Sequence, residues 1–193
     1  MERSITPSLT SSVSSNSARE LTFAHSAALL TIGALFAGVH QGWDVRLHLP
    51  GHYGLIWMAG VMLTRQSSQA TWAATITALG YVSGTLALSG WAHHASTQAP
   101  LYALSTLAVD VAWRMSAVRC RPLALAGLVG GLAFLLKPLA QYAFASGVDI
   151  EVGALQFGPW FPLLTHFCFG ATGAIIGTLL ARAKSIDPQH FAH

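Results

Sequence analysis

Six apolar runs separated by short polar stretches organise the chain after its first twenty or so residues. Most of these runs are close to the roughly 20 residues that a helix needs to cross a 30 Å hydrocarbon core, so they predict transmembrane helices. Their approximate bounds are Leu21–His40, His52–Thr64, Ala70–Gly90, Pro100–Ala117, Pro122–Ser146 and Pro159–Ala181. The second run is short. It either takes in apolar residues of the preceding loop or enters the membrane as a partial helix packed on protein.

Composition supports a membrane protein. The chain is 53% hydrophobic and only 9% charged, with a mean hydropathy of +0.51, whereas soluble domains carry roughly 25% charged residues. We therefore predict an all-α, six-helix membrane bundle at 21–184. A Ser-rich, disordered cytoplasmic tail is expected at 1–20, and a short cytoplasmic tail at 185–193. The few basic residues are scattered, which does not favour binding to nucleic acid.

Charge placement predicts the orientation of the bundle. When the polar stretches and the adjoining ends of the apolar runs are assigned alternately to two sides, one side holds eight of the ten basic residues. These are Arg3, Arg19, Arg65, Arg114, Arg119, Arg121, Arg182 and Lys184. The other side holds only Arg46. Because basic residues concentrate on the cytoplasmic side, this bias predicts six spans with both termini cytoplasmic, in a bacterial-type inner membrane.

Small residues recur at a spacing of four within the apolar runs. The pairs are Gly33/Ala37, Gly80/Gly84, Gly127/Gly131 and Gly173/Gly177. Such faces let helices approach closely in a lipid environment. They predict tight packing within the chain, with docking of a partner membrane protein on one face as the alternative.

Polar and aromatic residues gather at the predicted outer side, above all in the stretch HQGWDVRLHLPGH between His40 and His52. We expect residues 41–54 to cap an outward-facing ligand pocket. Aromatic rings would stack on a flat ligand there, and histidines would fix its polar edge. The candidate ligand-binding residues are Trp43, His48, His52, Trp91, His94, Asp110, Lys137 and His166.

The histidines also support a second hypothesis, because neutral imidazoles are good ligands for transition metals and haem iron. In that case the protein is a metal- or haem-binding membrane accessory. Its ligands would come from His40, His48, His52, His94 and His166. The two cysteines, Cys120 and Cys168, show no zinc-type spacing and are expected at different membrane depths as unpaired thiols.

Asp110 and Lys137 are the acid and base that lie well inside apolar runs. The two residues lie on consecutive antiparallel runs and match in their depth below the outer side of the membrane. Ionisable groups at such depth are costly unless they pair or face a polar cavity. Three roles remain open: an ion pair that fixes helix register, the floor of the ligand pocket, or a proton relay.

Motifs for catalysis are missing from the sequence. There is no HExxH, no Walker or Rossmann glycine pattern, and no GxSG turn of an intramembrane serine protease. An enzyme is therefore not favoured. No cofactor is predicted for the leading hypothesis, which is a membrane protein with an outward-facing pocket for a small-molecule ligand.

The last apolar run, FGATGAIIGTLLARAKS, is glycine-spaced and ends in a short basic tail. It resembles the C-terminus of substrate-binding S components of energy-coupling factor (ECF) transporters, as does the plan of six helices with polar residues in the outer loops. The small face of the first helix resembles the face by which that family docks its coupling subunit. That face holds Ala28, Gly33, Ala34 and Ala37. The stretch 49–54 (LPGHYG) occupies the place of a substrate-capping loop.

The resemblance implies a subunit that binds a vitamin-sized molecule from outside and delivers it inward. It also implies a transmembrane coupling subunit, docked at Gly33 and Ala37, and partner ATPases that hydrolyse ATP, since this chain has no nucleotide-binding motif.

Overall fold

The computed structural model is all-helical over the residues that it describes. These are 11–42, 49–89, 93–115, 123–143, 158 and 160–185, with side chains described at 22–42, 49–89, 98–115, 123–143, 158 and 160–183. Six helices and no strand occur in these ranges, so the predicted all-α class is confirmed. In chain order they are α1 Ser11–Gly42, α2 Tyr53–Ser67, α3 Ala73–Ser89, α4 His93–Trp113, α5 Leu123–Ala143 and α6 Trp160–Ser185.

Three of these helices are long and apolar enough to cross a membrane. The candidate spans are Thr22–Gly42, Leu123–Ala143 and Trp160–Ala183, with mean hydropathies between 1.6 and 1.9. Large apolar side chains on their outer surfaces are exposed, for example Phe23, Leu35 and Leu164. A continuous exposed apolar surface of this kind marks a contact with lipid or protein. The chain therefore has the character of an integral membrane protein.

The remaining helices are shorter or less apolar. α2 has 15 residues and α3 has 17, which corresponds to lengths of roughly 22–26 Å. α2 is packed against α3, α5 and α6, and much of it is buried. A short helix packed on protein is one of the two alternatives predicted for the second segment.

Successive helices alternate in direction. His25 contacts Ser68, and Gln41 contacts Thr85, so α1 and α3 run parallel. α4 runs antiparallel to α5, because Gln98 meets Gln141 while Tyr102 meets Lys137. α2 and α6 also run parallel and pack along their length. The C-terminal ends of α1 and α3 and the N-terminal ends of α2, α4 and α6 therefore lie at one end of the bundle, here called the α1–α2 end. The connection 68–72 lies at the other, the α2–α3 end.

Glycines allow α1 and α3 to touch through their backbones. A Cβ atom on Gly33 would meet the Thr77 carbonyl, and one on Gly80 would meet the Leu30 carbonyl. Ala37, in the same stripe as Gly33, is fully buried. The predicted packing of small-residue faces within the chain is thus seen directly. The same contact covers Gly33 and Ala37 with α3, so a coupling subunit would have to displace α3 to dock there.

Glycines also allow α6 to pack closely against α2 and α5. Gly173 and Gly177 lie against the backbones of Leu55 and Ala59, and Gly130 lies against Ala174. All four small-residue pairs found in the sequence therefore face another helix of this chain.

Two helices begin well before the predicted residue. α1 begins at Ser11, within the stretch expected to be a tail, and α4 begins at His93 and continues through Pro100. Hydropathy shows only where the sequence is apolar. A helix can continue into polar sequence, because it extends for as long as its backbone hydrogen bonds continue. Proline inside a membrane helix is tolerated because neighbouring groups satisfy the freed backbone.

Substituting Gly33 by Ala tests the close contact between α1 and α3. The new methyl group would collide with the Thr77 backbone, and overpacking of this kind costs about 1–3 kcal/mol. We expect a lowered unfolding temperature in mild detergent. Gly38→Ala is the matched control, since a Cβ there meets nothing within 4 Å. Equal effects of the two substitutions would contradict the packing described here.

Candidate functional site

A cavity of about 90 Å³ lies near the α1–α2 end of the bundle, between α1, α2, α3 and α4. Its walls are mostly apolar, and its polar atoms belong to imidazole and phenol groups. The lining residues are Phe36, Val39, His40, His52, Tyr53, Leu55, Ile56, Trp57, Tyr81 and Tyr102. We call it the aromatic cavity.

His40 lies at the centre of the ring contacts in this cavity. Its imidazole centroid is 4.2 Å from the Tyr53 ring, 5.8 Å from Tyr81 and 5.7 Å from Tyr102. Trp57 closes the other side, 4.6 Å from Tyr81. Tyr53 and Trp57 are one turn apart on α2, so both rings project from the same face of that helix. The result is a box of rings contributed by four helices.

Hydrogen bonds hold the rings in place. The His40 Nδ1 atom and the Tyr81 hydroxyl are hydrogen-bonded across the α1–α3 contact. On the opposite wall, Lys137 Nζ donates to the Tyr102 hydroxyl at 3.2 Å and lies 4.5 Å from the Tyr102 ring centroid. Lys137 therefore places a positive charge behind the Tyr102 wall. An ionisable group at this depth of a span marks a functional position by default.

Two histidines near this end carry a buried nitrogen that has no hydrogen-bond partner among the described residues. His52 Nδ1 bonds to the Leu49 carbonyl at 2.7 Å, and His166 Nδ1 bonds to the Pro162 carbonyl at 2.7 Å. A carbonyl oxygen only accepts, so each Nδ1 carries the hydrogen. In the neutral ring, Nε2 is then an acceptor, and both Nε2 atoms are buried and unsatisfied. Leaving such a group unpaired costs about 1–3 kcal/mol.

Gly51 brings the α1–α2 connection against α6. Its φ of +81° lies in the left-handed region that favours glycine. A Cβ atom there would come within 2.8 Å of the His166 ring. The other face of the His166 ring stacks on Phe134, with centroids 5.2 Å apart. Gly51 thus sets the position of His52 relative to His166 and the cavity.

The structure places three of the predicted residues in or near the aromatic cavity. His52 lines it, Lys137 donates to Tyr102 in its wall, and His166 stacks on Phe134, whose ring centroid is 6.0 Å from that of Tyr102. The predicted residues Trp43, His48 and Trp91, and the side chain of His94, lie outside the described residues. Tyr53, Trp57, Tyr81 and Tyr102 were missed. A signal for them exists: three of the four tyrosines in the chain line the cavity, and polar rings within apolar runs need a partner.

Asp110 does not belong to this end of the bundle. Its Oδ1 lies 3.8 Å from Arg65 Nε, and its Oδ2 accepts hydrogen bonds of 2.8 Å from the Thr75 backbone N–H and hydroxyl. The carboxylate thus pairs with α2 and caps the start of α3, where a negative charge is favoured.

The predicted Asp110–Lys137 ion pair is wrong. Lys137 meets Tyr102 on α4, and Asp110 lies about 12 Å further along that helix. The two depths seemed to match because they were counted from Pro100, taken as the start of the fourth run, and from Ser146, taken as the end of the fifth. α4 begins at His93 and α5 ends at Ala143, so Asp110 lies further from that end of the bundle than Lys137, in the last turn of α4.

The metal hypothesis finds no support in the described part of the chain. No group of three or more His, Cys, Asp or Glu residues there is arranged to hold a metal ion. His40, His52 and His166 therefore do not form such a group. Cys168 is a free, exposed cysteine.

Comparison with protein families, curated proteins and solved structures finds no match for this chain.

A double-mutant cycle distinguishes the observed pair from the predicted one. Asp110→Ala should destabilise the protein by about 3–5 kcal/mol, because it leaves a buried guanidinium without its carboxylate. Combined with Arg65→Met, the effects should be non-additive by about 1–3 kcal/mol, whereas combined with Lys137→Met they should add. The measurement is SDS-induced unfolding in mixed micelles. Coupling between Asp110 and Lys137 in place of Arg65 would contradict the assignment.

Proposed function

We propose that this protein is a membrane-embedded, substrate-binding subunit of a transport system for a small organic molecule. The observation that carries the proposal is the aromatic cavity. Polar rings are costly inside an apolar bundle, yet His40, Tyr81 and Tyr102 are gathered in one place and joined to each other. A purely structural bundle has no need of such a cluster.

The cavity favours a flat ligand that donates a hydrogen bond. Its ring walls suit stacking against a planar heterocycle, and the buried Nε2 of His52 requires an N–H or O–H donor. The volume of about 90 Å³ is smaller than the roughly 150 Å³ cavity that encloses benzene. It therefore holds one ring edge or substituent, and the rest of a vitamin-sized ligand extends towards the α1–α2 connection.

For the membrane arrangement, we propose six spans with both termini in the cytoplasm of a bacterial-type cell. In support, the helices alternate in direction, and Arg65, Arg114 and Arg182 lie together at the α2–α3 end. Basic residues favour the cytoplasmic side, so the aromatic cavity would be near the outer face.

The resemblance to ECF S components supplies the proposed partners, a transmembrane coupling subunit and ATPases. Because α3 covers Gly33 and Ala37, we place coupling-subunit contact on the outward face of α1. Exposed Phe23 and Leu35 lie there.

Native mass spectrometry of the protein purified in mild detergent tests ligand binding. We expect a co-purifying organic molecule whose occupancy falls about tenfold in Tyr81→Phe, which removes the bond to His40, and in His52→Phe, which removes the buried acceptor. Tyr142→Phe is the matched control, because Tyr142 is not among the residues that line the cavity. A wild-type protein without bound molecule, or equal loss in the control, would contradict the proposal.

Cysteine accessibility tests the orientation. In a Cys120→Ser, Cys168→Ser background, Trp160→Cys at the start of α6 should react with a membrane-impermeant maleimide in intact cells. Arg182→Cys at the other end should react only after permeabilisation. Both starting residues are exposed. The reverse labelling would invert the topology, and labelling of both in intact cells would show that α6 does not span.

A further inference from the structure

A second, larger cavity lies at the α2–α3 end of the bundle, opposite the aromatic cavity. It has a volume of about 400 Å³ and is lined by the end of α2, the α2–α3 connection, the end of α4 and Arg114, which follows α4 directly. Its lining is polar, including Gln66, Ser68 and Thr71, and it contains two guanidinium groups and one carboxylate. We call it the arginine cavity. The aromatic cavity shares none of its lining residues.

Arg65 is held in a defined position in this cavity. It is buried, its guanidinium lies 3.8 Å from the Asp110 carboxylate, and it donates to the Ala70 carbonyl. The ring of Trp113 lies below it, with the ring centroid 5.9 Å from Cζ. A guanidinium fixed in this way is pre-organised for planar, bidentate contacts, and little side-chain entropy is lost when a ligand binds.

Arg114 provides the second guanidinium. Its Cζ lies 3.8 Å from the centroid of the Trp72 ring, within the range of a cation–π contact. Stacking occupies the face of the guanidinium and leaves its N–H edge for hydrogen bonds. Arg114 itself is exposed, so this edge is accessible from outside the bundle.

The charges of the cavity do not cancel. Asp110 already accepts hydrogen bonds from the backbone and hydroxyl of Thr75 at the positive end of α3. Its negative charge is therefore shared between Arg65 and the α3 N-terminus. With Arg114 as the second cation, the described lining carries a net positive charge that favours an anion.

We infer that the arginine cavity binds a phosphate-bearing anion, with Arg65 and Arg114 as its ligands. Guanidinium groups match the oxygen geometry of phosphate in bidentate contacts. A volume of about 400 Å³ lies within the roughly 300–1,000 Å³ range of small-molecule sites and exceeds the needs of an ordered water or two. The same chemistry is offered by an acidic phospholipid headgroup and by a soluble phosphate ester.

The position of the cavity suits either source. Basic pockets between helices at the cytoplasmic side of a membrane protein bind anionic headgroups, and Trp72 and Trp113 at its rim are the residue type that anchors in the interface. The inference stands on the cavity alone, and failure of ligand binding at the aromatic cavity would leave it intact.

Arg114→Gln is the test variant, because Arg114 is exposed and its loss leaves the Arg65–Asp110 pair in place. Arg182→Gln is the matched control, an exposed arginine at the same end of the bundle that does not line the cavity. Circular dichroism and gel filtration establish that each variant is folded before it is compared with the wild type.

In the lipid arm, native mass spectrometry measures retention of phosphatidylglycerol against phosphatidylcholine after extraction from nanodiscs that contain both. We expect selective retention of phosphatidylglycerol by the wild type and the control, and about tenfold less by Arg114→Gln, the loss of one charge-assisted contact. In the soluble arm, thermal unfolding in detergent is followed with added inorganic phosphate and with glycerol 3-phosphate. Stabilisation of the wild type and the control, lost in Arg114→Gln, is the corresponding result.

A positive lipid arm assigns the site to headgroups, and a positive soluble arm alone assigns it to a soluble phosphate ester. The inference is overturned if neither arm responds, or if Arg182→Gln reduces binding as much as Arg114→Gln. Equal loss of binding in the two variants would show that the positive surface charge at this end of the bundle attracts the anion, and that a defined cavity does not.

Discussion

The buried carboxylate of Asp110 joins three of the six helices. It lies in the last turn of α4, accepts hydrogen bonds from the start of α3, and faces Arg65 near the end of α2. A single charge in an apolar bundle is unfavourable unless all its partners are present. The position of α4 along the bundle is therefore tied to α2 and α3. Both cavities depend on this alignment, because α2 and α4 contribute lining residues to each of them.

The glycine contacts set the distances between helices, and Asp110 sets their alignment. Where a Cβ would strike a backbone carbonyl, as at Gly33 and Gly80, the α1 and α3 axes come close enough for His40 to reach Tyr81. Van der Waals packing of small residues gives much of the association energy in lipid, where apolar surface gains little from burial against another helix. The aromatic cavity occurs where large rings interrupt these close contacts.

The two cavities are opposite in chemistry although the same helices build them. On α2, Trp57 faces the aromatic cavity and Arg65 the arginine cavity, about 12 Å apart along the helix. On α4, Tyr102 and Asp110 show the same separation. The polar side chains that line the aromatic cavity are rings, which suit a planar organic ligand. Those that line the arginine cavity include two guanidinium groups and one carboxylate, and its net positive charge suits an anion. A molecule bound at either end contacts helices that also line the other.

Local properties of the chain determined the helical class, the number of apolar segments and the small-residue faces, because hydropathy and a spacing of four are read directly along one helix. His52, Lys137 and His166 could be singled out in the sequence because a polar residue within or beside an apolar run is visible in one dimension, and the structure places all three towards the α1–α2 end. The partner of Asp110 was decided only by tertiary structure, because ion pairing between helices depends on where each helix begins and on its shift relative to its neighbour. Errors of a few residues in the start of α4 and in the end of α5 gave Asp110 the wrong partner. The aromatic cavity likewise forms only where four helices pack together. Tyr53, Tyr81 and Tyr102 lie on three different helices, so no residue spacing within one segment predicts that their rings are close.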